Sequence, residues 1–440
     1  MTGSQKKSNH LFIGLLKMTK KSWSALSIII IYMVLTGWAP QKAIALEAEQ
    51  IIFLHYWTGP LSGGISEMVT VFNEKHPRFH VSAAGFEHES FKIGIQVMLA
   101  GGNPPDLFSY WAGARIQSLV DKNYLSPVDD LWKEAKMDER FPTPVANACT
   151  YNGKKYAIPV TLHYAGFFYN KKIFKENELT PPKRWEEFIA VCETLKKRKI
   201  APIALGSMER WPAQFWFDYI LLRTAGPKYR HRLMTGKAFY NDPEVIQAFK
   251  IWKQVLDQGY VIKNPNVYDW AAAAKKVYHG EAAMTLMGTW IIGFFDNQLG
   301  WKQDVDYDFF PFPVIDPNVP SVSVGPIDAI VIPKKSKLGA AKKTMEYFAD
   351  IDPQKEMSKG SGALAPNKNI SSAFYSKLQQ RILKTIGETQ YWAFNYDLAT
   401  PPLVAESGLD CFVGFLDHPG DYKKILSKTD KKTRQIIKER

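Results

Sequence analysis

The 440-residue chain has only three cysteines, Cys149, Cys192 and Cys411. Their long and irregular spacings match no metal-binding motif, so the sequence gives no reason to expect a metal site. Separation along the chain does not show whether two of them approach closely enough to form a disulfide. We expect three buried thiols, with one disulfide and one remaining thiol as the alternative.

The short motifs of catalysis are also missing. The chain has no GxSxG nucleophile elbow, no HExxH zinc site and no phosphate-binding P-loop, and its carboxylates show no readable acid/base pair. No cofactor is therefore expected, and a binding protein is favoured over an enzyme. A secreted glycosidase is the main competing class, because it needs only two carboxylates about 5–10 Å apart across a cleft.

The N-terminal apolar run, Ala25–Leu35, is too short to span a membrane, which takes about 20 apolar residues. Lys20 and Lys21 precede it, and Ala43-Ile44-Ala45 follows with the small-x-small pattern of a signal-peptidase site. We expect residues 1–45 to be a signal peptide, read from Met1 or from Met18. No cysteine lies near the cleavage position to accept a lipid, so the mature chain is expected to be soluble in the periplasm.

The chain has little excess charge of either sign. Of the formal net charge of +13, six lysines belong to residues 1–45, and the remaining 50 basic and 43 acidic residues leave +7. The lysines of 196–199 and 423–440 are interpreted as solvated helical faces, because they lack the interleaved aromatic residues of a nucleic-acid site. No nucleic-acid partner is expected.

The segment from Ala271 to Leu299 shows a helix, a buried strand and a second helix. Ala271–Tyr278 is strongly helix-forming, and Gly280 stands where a left-handed cap is expected. Ala282–Met287 has the apolar character of a strand covered on both faces. Gly288 and Thr289 then offer a turn and an N-cap that place Trp290 in the first helical turn, facing the crevice where α/β sheets bind ligands. The alternative is that Trp290 only fills the core.

The chain from Ile51 alternates strands with helices, which is typical of a parallel sheet. Strands are predicted at Ile51–His55, Phe79–Ala84 and Asp106–Ser109, with helices at Gly64–Lys75 and Phe91–Ala100. The loops at the carboxyl ends of these strands converge at one edge of the sheet. They carry the candidate ligand-binding residues Trp57, Thr58, Glu87, His88, Tyr110 and Trp111.

Several segments together resemble one protein family. They are GEAAM and GTW within 280–290, YWTGP at 56–60, PPDLF at 104–108, YAIPV at 156–160, FFYNKKIF at 167–174 and PPKRWEEF at 181–188. In this order the chain resembles the extracellular solute-binding proteins of ABC importers, the group that includes maltose-binding protein. The resemblance covers roughly residues 51 to 370 and is weak beyond.

The resemblance implies an α/β, two-lobe fold of the periplasmic-binding-protein type II, with hinge crossings and a central cleft. Lobe I would comprise residues 46–162 and 325–370, and lobe II residues 163–324 and 371–440. It also implies a monomer that captures a mono- or oligosaccharide and delivers it to the transmembrane permease subunits. Crossings are expected near Val160–Tyr164 and Pro326–Pro333.

Further candidate ligand-binding residues follow from this placement: His163 and Tyr164 on the first crossing, Trp211 before a helix, Gly288 and Trp290, Asp328 on the return strand, and Trp392. Indole rings suit the apolar face of a pyranose, and carboxylates suit its hydroxyls. A sugar phosphate or glycerol-phosphate-type ligand is the alternative, with Lys92, Arg115 and Arg210 as the basic residues near the cleft loops.

Overall fold

A computed structural model describes residues 48–439. The predicted signal peptide lies outside the described residues. The strands are β1 (Glu49–His55), β2 (Phe79–Gly85), β3 (Leu107–Trp111), β4 (Thr150–Tyr151), β5 (Lys154–Lys155), β6 (Ala157–Leu162), β7 (Ala165–Asn170), β8 (Ala201–Ile203), β9 (Ala282–Gly288), β10 (Tyr307–Phe310), β11 (Val322–Val324), β12 (Ile327–Val331) and β13 (Tyr391–Ala393).

The α-helices lie between these strands and after them. They are α1 (Ile65–Lys75), α2 (His88–Ala100), α3 (Ala114–Asp121), α4 (Asp129–Glu134), α5 (Met137–Arg140), α6 (Thr143–Asn147), α7 (Lys171–Glu176), α8 (Trp185–Lys197), α9 (Gln214–Thr224), α10 (Gly226–Met234), α11 (Pro243–Asp257), α12 (Trp270–Tyr278), α13 (Trp290–Gly293), α14 (Leu338–Phe348), α15 (Ile351–Ser361), α16 (Lys377–Glu388), α17 (Tyr396–Ala399), α18 (Pro402–Asp417) and α19 (Tyr422–Lys438). Within residues 48–439, no helix has the length and apolar content needed to cross a membrane.

The first sheet has five strands in the order β2-β1-β3-β12-β6. The three N-terminal strands run parallel, as the β/α alternation predicts, whereas β12 lies antiparallel to both β3 and β6. A cluster of buried apolar side chains surrounds this sheet. The strand from late in the sequence thus completes a sheet begun more than 200 residues earlier, which requires the chain to return to the first lobe.

The second sheet has the order β10-β7-β9-β8 and its own buried apolar cluster. One of its two central strands, β9, is fully buried, as expected of its apolar sequence. Gly280 adopts a φ of 76°, which confirms the left-handed end of the preceding helix. The two-lobe α/β architecture is therefore confirmed.

Three passes of the chain connect the lobes, and they run side by side. The His163 N–H donates to the carbonyl of Pro326 at 3.0 Å, which joins the first crossing to the return crossing. Leu162 and Leu364 exchange two backbone hydrogen bonds of 2.8 and 2.9 Å, which adds the third pass. Because backbone groups in a narrow connection must find partners, this mutual bonding makes the hinge a defined structure.

The lobe limits stay a prediction. Strands of the first sheet fall within residues 46–162 and 325–370, and those of the second sheet fall within 163–324. Leu398, in the C-terminal region assigned to lobe II, packs instead with the apolar cluster of the first lobe. The three cysteines are buried free thiols, as expected, and burial raises the pKa of Cys149 and of Cys411 to about 12.

A buried ion pair fixes the C-terminal region to the second lobe. The Arg230 Nε donates to the Asp218 carboxylate at 2.8 Å, and a terminal nitrogen of the same guanidinium donates to the Phe394 carbonyl at 2.7 Å. The Tyr396 N–H donates to the other oxygen of Asp218 at 2.5 Å. Burial raises the pKa of Asp218, while Arg230 opposes that effect. The buried Asp218 carboxylate is therefore stabilised by two partners, the Arg230 guanidinium and the Tyr396 N–H.

We predict that Arg230→Met lowers the free energy of unfolding by ~3–5 kcal/mol, because it leaves a fully buried carboxylate without its cation. Urea denaturation of the mature chain measures the loss. Arg381→Met is the control: it removes more exposed pairs with Asp304 and Asp308 and should cost about 1 kcal/mol or less. Equal losses in the two variants would contradict this account of the ion pair.

Candidate ligand-binding site

A cavity lies between the lobes and is lined by residues of both. Six Phe, Tyr and Trp side chains from the two lobes line it, together with two histidines. The lining residues are Tyr56, Trp57, Leu61, His88, Lys92, Trp111, His163, Trp211, Gln214, Phe215, Trp290, Pro326, Asp328, Ser361, Asn395, Asp397 and Leu398.

The first-lobe wall is a stack of rings at the carboxyl ends of β1 and β3. Tyr56 and Trp111 lie parallel, with ring centroids 4.0 Å apart and an interplanar angle of 15°. His88, at the start of α2, packs edge-on against Trp111 at 4.9 Å. The strand-end loops thus converge at one edge of the sheet, as the alternating pattern predicts.

The second-lobe wall consists of Trp211, Phe215 and Trp290. The two indoles meet edge to face at 5.6 Å, and each is 8% exposed. A Cβ atom on Gly288 would lie 2.0 Å from the Trp290 ring, so the glycine allows the indole to fold back over the strand end. The indole N–H groups of both tryptophans are buried and have no hydrogen-bond partner among the described residues. Each is therefore an unused donor on a residue that lines the cavity.

The walls approach each other across the cavity. The His88 ring of the first lobe lies 6.0 Å from the Trp211 ring of the second. At another point, the Gln298 amide donates to the Gly59 carbonyl at 3.3 Å. These contacts between lobes describe a closed arrangement.

A hydrogen-bonded group at the hinge forms one polar side of the cavity. The Asp328 carboxylate accepts from the Thr161 hydroxyl at 2.6 Å and from His163 Nε2 at 3.2 Å. His163 Nδ1 lies 3.0 Å from the Thr289 hydroxyl, which also accepts from the Tyr164 N–H at 3.4 Å. Because a carboxylate only accepts, Nε2 carries the proton in this contact. The Thr289 hydroxyl bonds this ring and does not cap α13, contrary to the prediction.

This arrangement also controls the charge of Asp328. Burial alone would raise its pKa, but the hydrogen bonds from His163 and Thr161 hold the pKa below its ordinary value. Burial raises the pKa of the neighbouring Tyr56 phenol well above its usual range, and the Asp328 charge raises it further. Asp328 is thus a carboxylate beside a protonated phenol, a combination that can both accept and donate hydrogen bonds.

A second carboxylate, Asp397, lies on the short helix α17. One oxygen accepts from Arg115 at 3.0 Å and the other from the Asn395 amide at 2.6 Å. The Asp397 N–H donates to the side-chain oxygen of Gln214 at 2.8 Å. The Asn395 side-chain oxygen is buried without a partner among the described residues, so it can accept from a ligand.

The basic residues near the cavity are all paired with carboxylates. Lys92 Nζ lies 2.6 Å from Glu89, and Arg115 is bound to Asp397. Arg210 binds Glu406 at 2.7 Å and Asp410 at 2.8 Å. Each of these three cations is therefore engaged by a carboxylate of the protein.

An outer groove continues from the cavity, and Lys92 lines both. Glu209 of the second lobe lines this groove, and one of its oxygens is buried without a partner among the described residues. Burial raises the pKa of Glu209 to about 7, and the carboxylates of Glu89, Asp269 and Glu87 add to that effect, opposed by Lys92. Closure of the lobes therefore brings like charges together at the mouth.

Seven predicted site residues line the cavity: Trp57, His88, Trp111, His163, Trp211, Trp290 and Asp328. Six others do not line it directly: Thr58, Glu87, Tyr110, Tyr164, Gly288 and Trp392. Gly288 acts through the Trp290 ring, as described above. The hydroxyl of Thr58 donates to the Phe86 carbonyl at 3.3 Å and connects two strand-end loops.

The remaining four side chains are directed elsewhere for local reasons. Helix α2 begins three residues earlier than predicted, and the Glu87 carboxylate caps it by accepting from the backbone N–H groups of residues 89 and 90 at 2.8 Å. Tyr110 alternates with Trp111 along β3 and points away. Tyr164 packs against Phe309 in the second-lobe core, and the Trp392 ring lies close to Gly325.

Several residues that line the cavity were not predicted from the sequence. Tyr56 is the first residue of the segment YWTGP at 56–60. Its position beside the candidate Trp57 could have marked it as a lining residue. Gln214 and Phe215 begin a helix whose apolar stripe predicted only packing. Asn395 and Asp397 lie beyond the region of family resemblance, and no local pattern marked them.

The chain matches the family model described as bacterial extracellular solute-binding protein over residues 58–355. It belongs to this family. The assignment predicted from the sequence motifs is therefore confirmed. An uncharacterised ABC transporter extracellular-binding protein of Pyrococcus horikoshii is 30% identical over 358 residues, which are 78% of each chain. A probable sugar-binding periplasmic protein of Mesorhizobium japonicum is 26% identical over 63% of this chain and 67% of its own.

Solved structures show the same fold. The bacterial solute receptor AcbH, which has a preference for β-D-galactopyranose, superposes with a TM-score of 0.82 at 24% identity, over 88% of this solute-binding protein and 99% of AcbH. A chitin oligosaccharide binding protein superposes with a TM-score of 0.79 at 22% identity, over 89% and 99% of the respective chains. These likenesses support the two-lobe architecture.

We predict that Trp290→Leu weakens sugar binding by ~1–3 kcal/mol through lost ring contact area, measured by calorimetric titration. Because Trp290 also belongs to the second-lobe core, the unliganded variant should melt at a lower temperature. Phe295→Leu is the matched control, since this buried ring is absent from the cavity wall. Phe295→Leu should lower stability and leave sugar affinity unchanged. If the affinity of Trp290→Leu falls only in proportion to its loss of stability, a purely structural role of Trp290 is favoured.

We also predict that sugar affinity falls as pH rises from about 5.5 to about 8. When the pKa of the Glu209 carboxyl is higher in the closed form than in the open form, the protonated carboxyl favours closure. This contribution to sugar affinity declines as pH rises through about 7. The change should be roughly tenfold or less, since Glu209 is only partly buried. Glu209→Gln should flatten the dependence of sugar affinity on pH, whereas the surface variant Glu388→Gln should leave it unchanged. An unchanged slope in Glu209→Gln would contradict the assignment of this pH dependence to Glu209.

Proposed function

We propose that this protein is the extracytoplasmic receptor of an ABC importer and that it captures a sugar between its lobes. The observation that carries the proposal is a cavity walled by Trp57 and Trp111 on one side and by Trp211 and Trp290 on the other. A pyranose has apolar ring faces that suit indoles and a fringe of hydroxyls that suits carboxylates and amides. Asp328, Asn395 and the free indole N–H groups supply that second requirement.

Two comparisons support a sugar as the ligand. The Mesorhizobium relative is named a probable sugar-binding periplasmic protein. The solved receptors with the same fold include binders of galactopyranose and of chitin oligosaccharides. The proposed contacts are the seven predicted residues that line the cavity, together with Tyr56, Gln214, Asn395 and Asp397.

A neutral sugar fits these paired cations better than a sugar phosphate or a glycerol-phosphate-type ligand. A bound phosphate needs cationic groups or helix N-terminal amides directed at it. Lys92, Arg115 and Arg210, which were the basic candidates, are each engaged by a carboxylate. An anionic ligand would have to break one of these pairs.

A binding role fits the carboxylates of the cavity better than glycoside hydrolysis. A general acid needs a raised pKa, whereas that of Asp328 is lowered, and Asp397 is held by Arg115. Glu209 has a raised pKa, but it lines the outer groove and not the aromatic cavity. A turnover measurement on purified protein separates the two classes.

The proposal includes the partner and the location. The receptor would deliver sugar as a monomer to transmembrane permease subunits from the periplasm, without a lipid anchor. The signal-peptidase pattern at Ala43-Ile44-Ala45 and the lack of a nearby cysteine support this arrangement. The predicted lobe limits, 46–162 with 325–370 and 163–324 with 371–440, belong to the same proposal.

We predict that neutral mono- or oligosaccharides raise the melting temperature of the mature protein, because a ligand that binds only the folded state stabilises it. A thermal-shift panel of neutral sugars and sugar phosphates measures this, with calorimetry on each positive compound. Stabilisation by phosphates alone would favour the alternative ligand. Release of product from glycosides during the same incubations would favour the secreted glycosidase.

We predict that saturating sugar reduces the radius of gyration and changes tryptophan fluorescence with the same midpoint. Each lobe supplies only one wall of the cavity, so closure completes the site, and ligand shifts an open population to the closed form. X-ray scattering and fluorescence titrations of the same sample measure both quantities. A constant scattering curve through a full fluorescence change would indicate a rigid, preformed site.

A further inference from the structure

The outer face of the last helix, α19, carries a high density of positive charge. Its exposed basic side chains are Lys423, Lys424, Lys428, Lys431, Lys432, Arg434 and Lys438. The opposite side of the helix is buried through Tyr422, Leu426, Thr429, Asp430 and Thr433. At about 100° per residue, the seven basic positions fall within one half of the helix circumference. We call this surface the basic face of α19.

Most of this charge is uncompensated. Lys432 Nζ lies 3.5 Å from the Asp410 carboxylate, and Arg434 Nε lies 2.7 Å from the Asp430 carboxylate. Within residues 48–439, the other five basic side chains have no carboxylate within 4 Å. Lys424, Lys428, Lys431 and Lys432 also line one shallow surface groove together with Ser427 and Gln435. Several ammonium groups thus converge where an anionic partner would neutralise their mutual repulsion.

The basic face lies beside the mouth of the ligand-binding cleft. Asp410, which pairs with Lys432, also accepts from Arg210 at 2.8 Å. Arg210 lines the outer groove between the lobes. A surface that binds the basic face therefore also lies near the opening through which ligand enters and leaves.

We propose that the basic face of α19 attaches this protein to anionic phospholipid headgroups and holds the cleft mouth near the membrane. The basic half of the helix has no apolar side chain, so the helix would lie on the headgroups without inserting. Each lysine near such a surface strengthens attachment roughly fivefold. Nucleic acid is a poorer match, because the face has no aromatic residue for base stacking. The proposal rests on family membership and not on the identity of the sugar.

Vesicle sedimentation of the full mature chain tests the proposal. The vesicles contain phosphatidylcholine alone or with about 30% phosphatidylglycerol, at about 0.05 M and about 0.5 M salt. We expect binding only to the anionic vesicles and release at high salt. A variant in which Lys423, Lys424, Lys428, Lys431 and Lys438 are all changed to glutamine should lose at least about a hundredfold in partitioning.

The control variant carries the same five charge changes at exposed lysines elsewhere, namely Lys133, Lys175, Lys183, Lys197 and Lys263. It should retain most of the binding. Equal loss in both variants, binding to neutral vesicles, or tighter binding of the basic face to duplex DNA than to anionic vesicles would overturn the proposal. Melting curves and sugar titrations of both variants should match the wild type, so failure here is distinguishable from failure of the sugar-binding proposal.

Discussion

The bonding of three chain crossings to one another is the constraint on which the rest of this structure depends. His163 is bonded to the carbonyl of Pro326, and Leu162 is paired with Leu364 through two backbone hydrogen bonds. A narrow connection of this kind leaves few backbone groups for water to satisfy, so the crossings are held in one register. Both walls of the cavity are placed relative to this hinge, and the His163 side chain extends from it to Asp328 and Thr289.

Pairing of buried charges follows from the same geometry. A cleft that closes removes its charged groups from water, which is costly unless each one has a partner. Arg115 with Asp397 and His163 with Asp328 meet this requirement inside the cavity. Glu209 is the exception, because its neighbours are mostly carboxylates and its pKa is raised to about 7. The cations beside the cavity are thus engaged within the protein, while the mouth brings carboxylates of both lobes together.

The aromatic wall joins binding to stability. Trp290 packs against Phe215 and Trp211 in the second-lobe core and also lines the cavity. A ring held in this way loses little conformational freedom when a sugar arrives, so the wall is preorganised. The cost is that a substitution at such a position affects the free protein as well as the complex.

The sequence by itself determined the β/α alternation, the buried strand Ala282–Gly288 and the loops that carry Trp57, His88, Trp111 and Trp290, because these features depend on periodicity, capping and turn residues over short distances. Only the tertiary structure decided that Asp397 meets Arg115 across 282 positions and enters the cavity. It also decided that Glu87 caps a helix and that Tyr110 points away while Trp111 faces the cavity. The physical reason is that contacts between distant segments, and a shift of one or three residues in where an element begins, leave no local pattern to read.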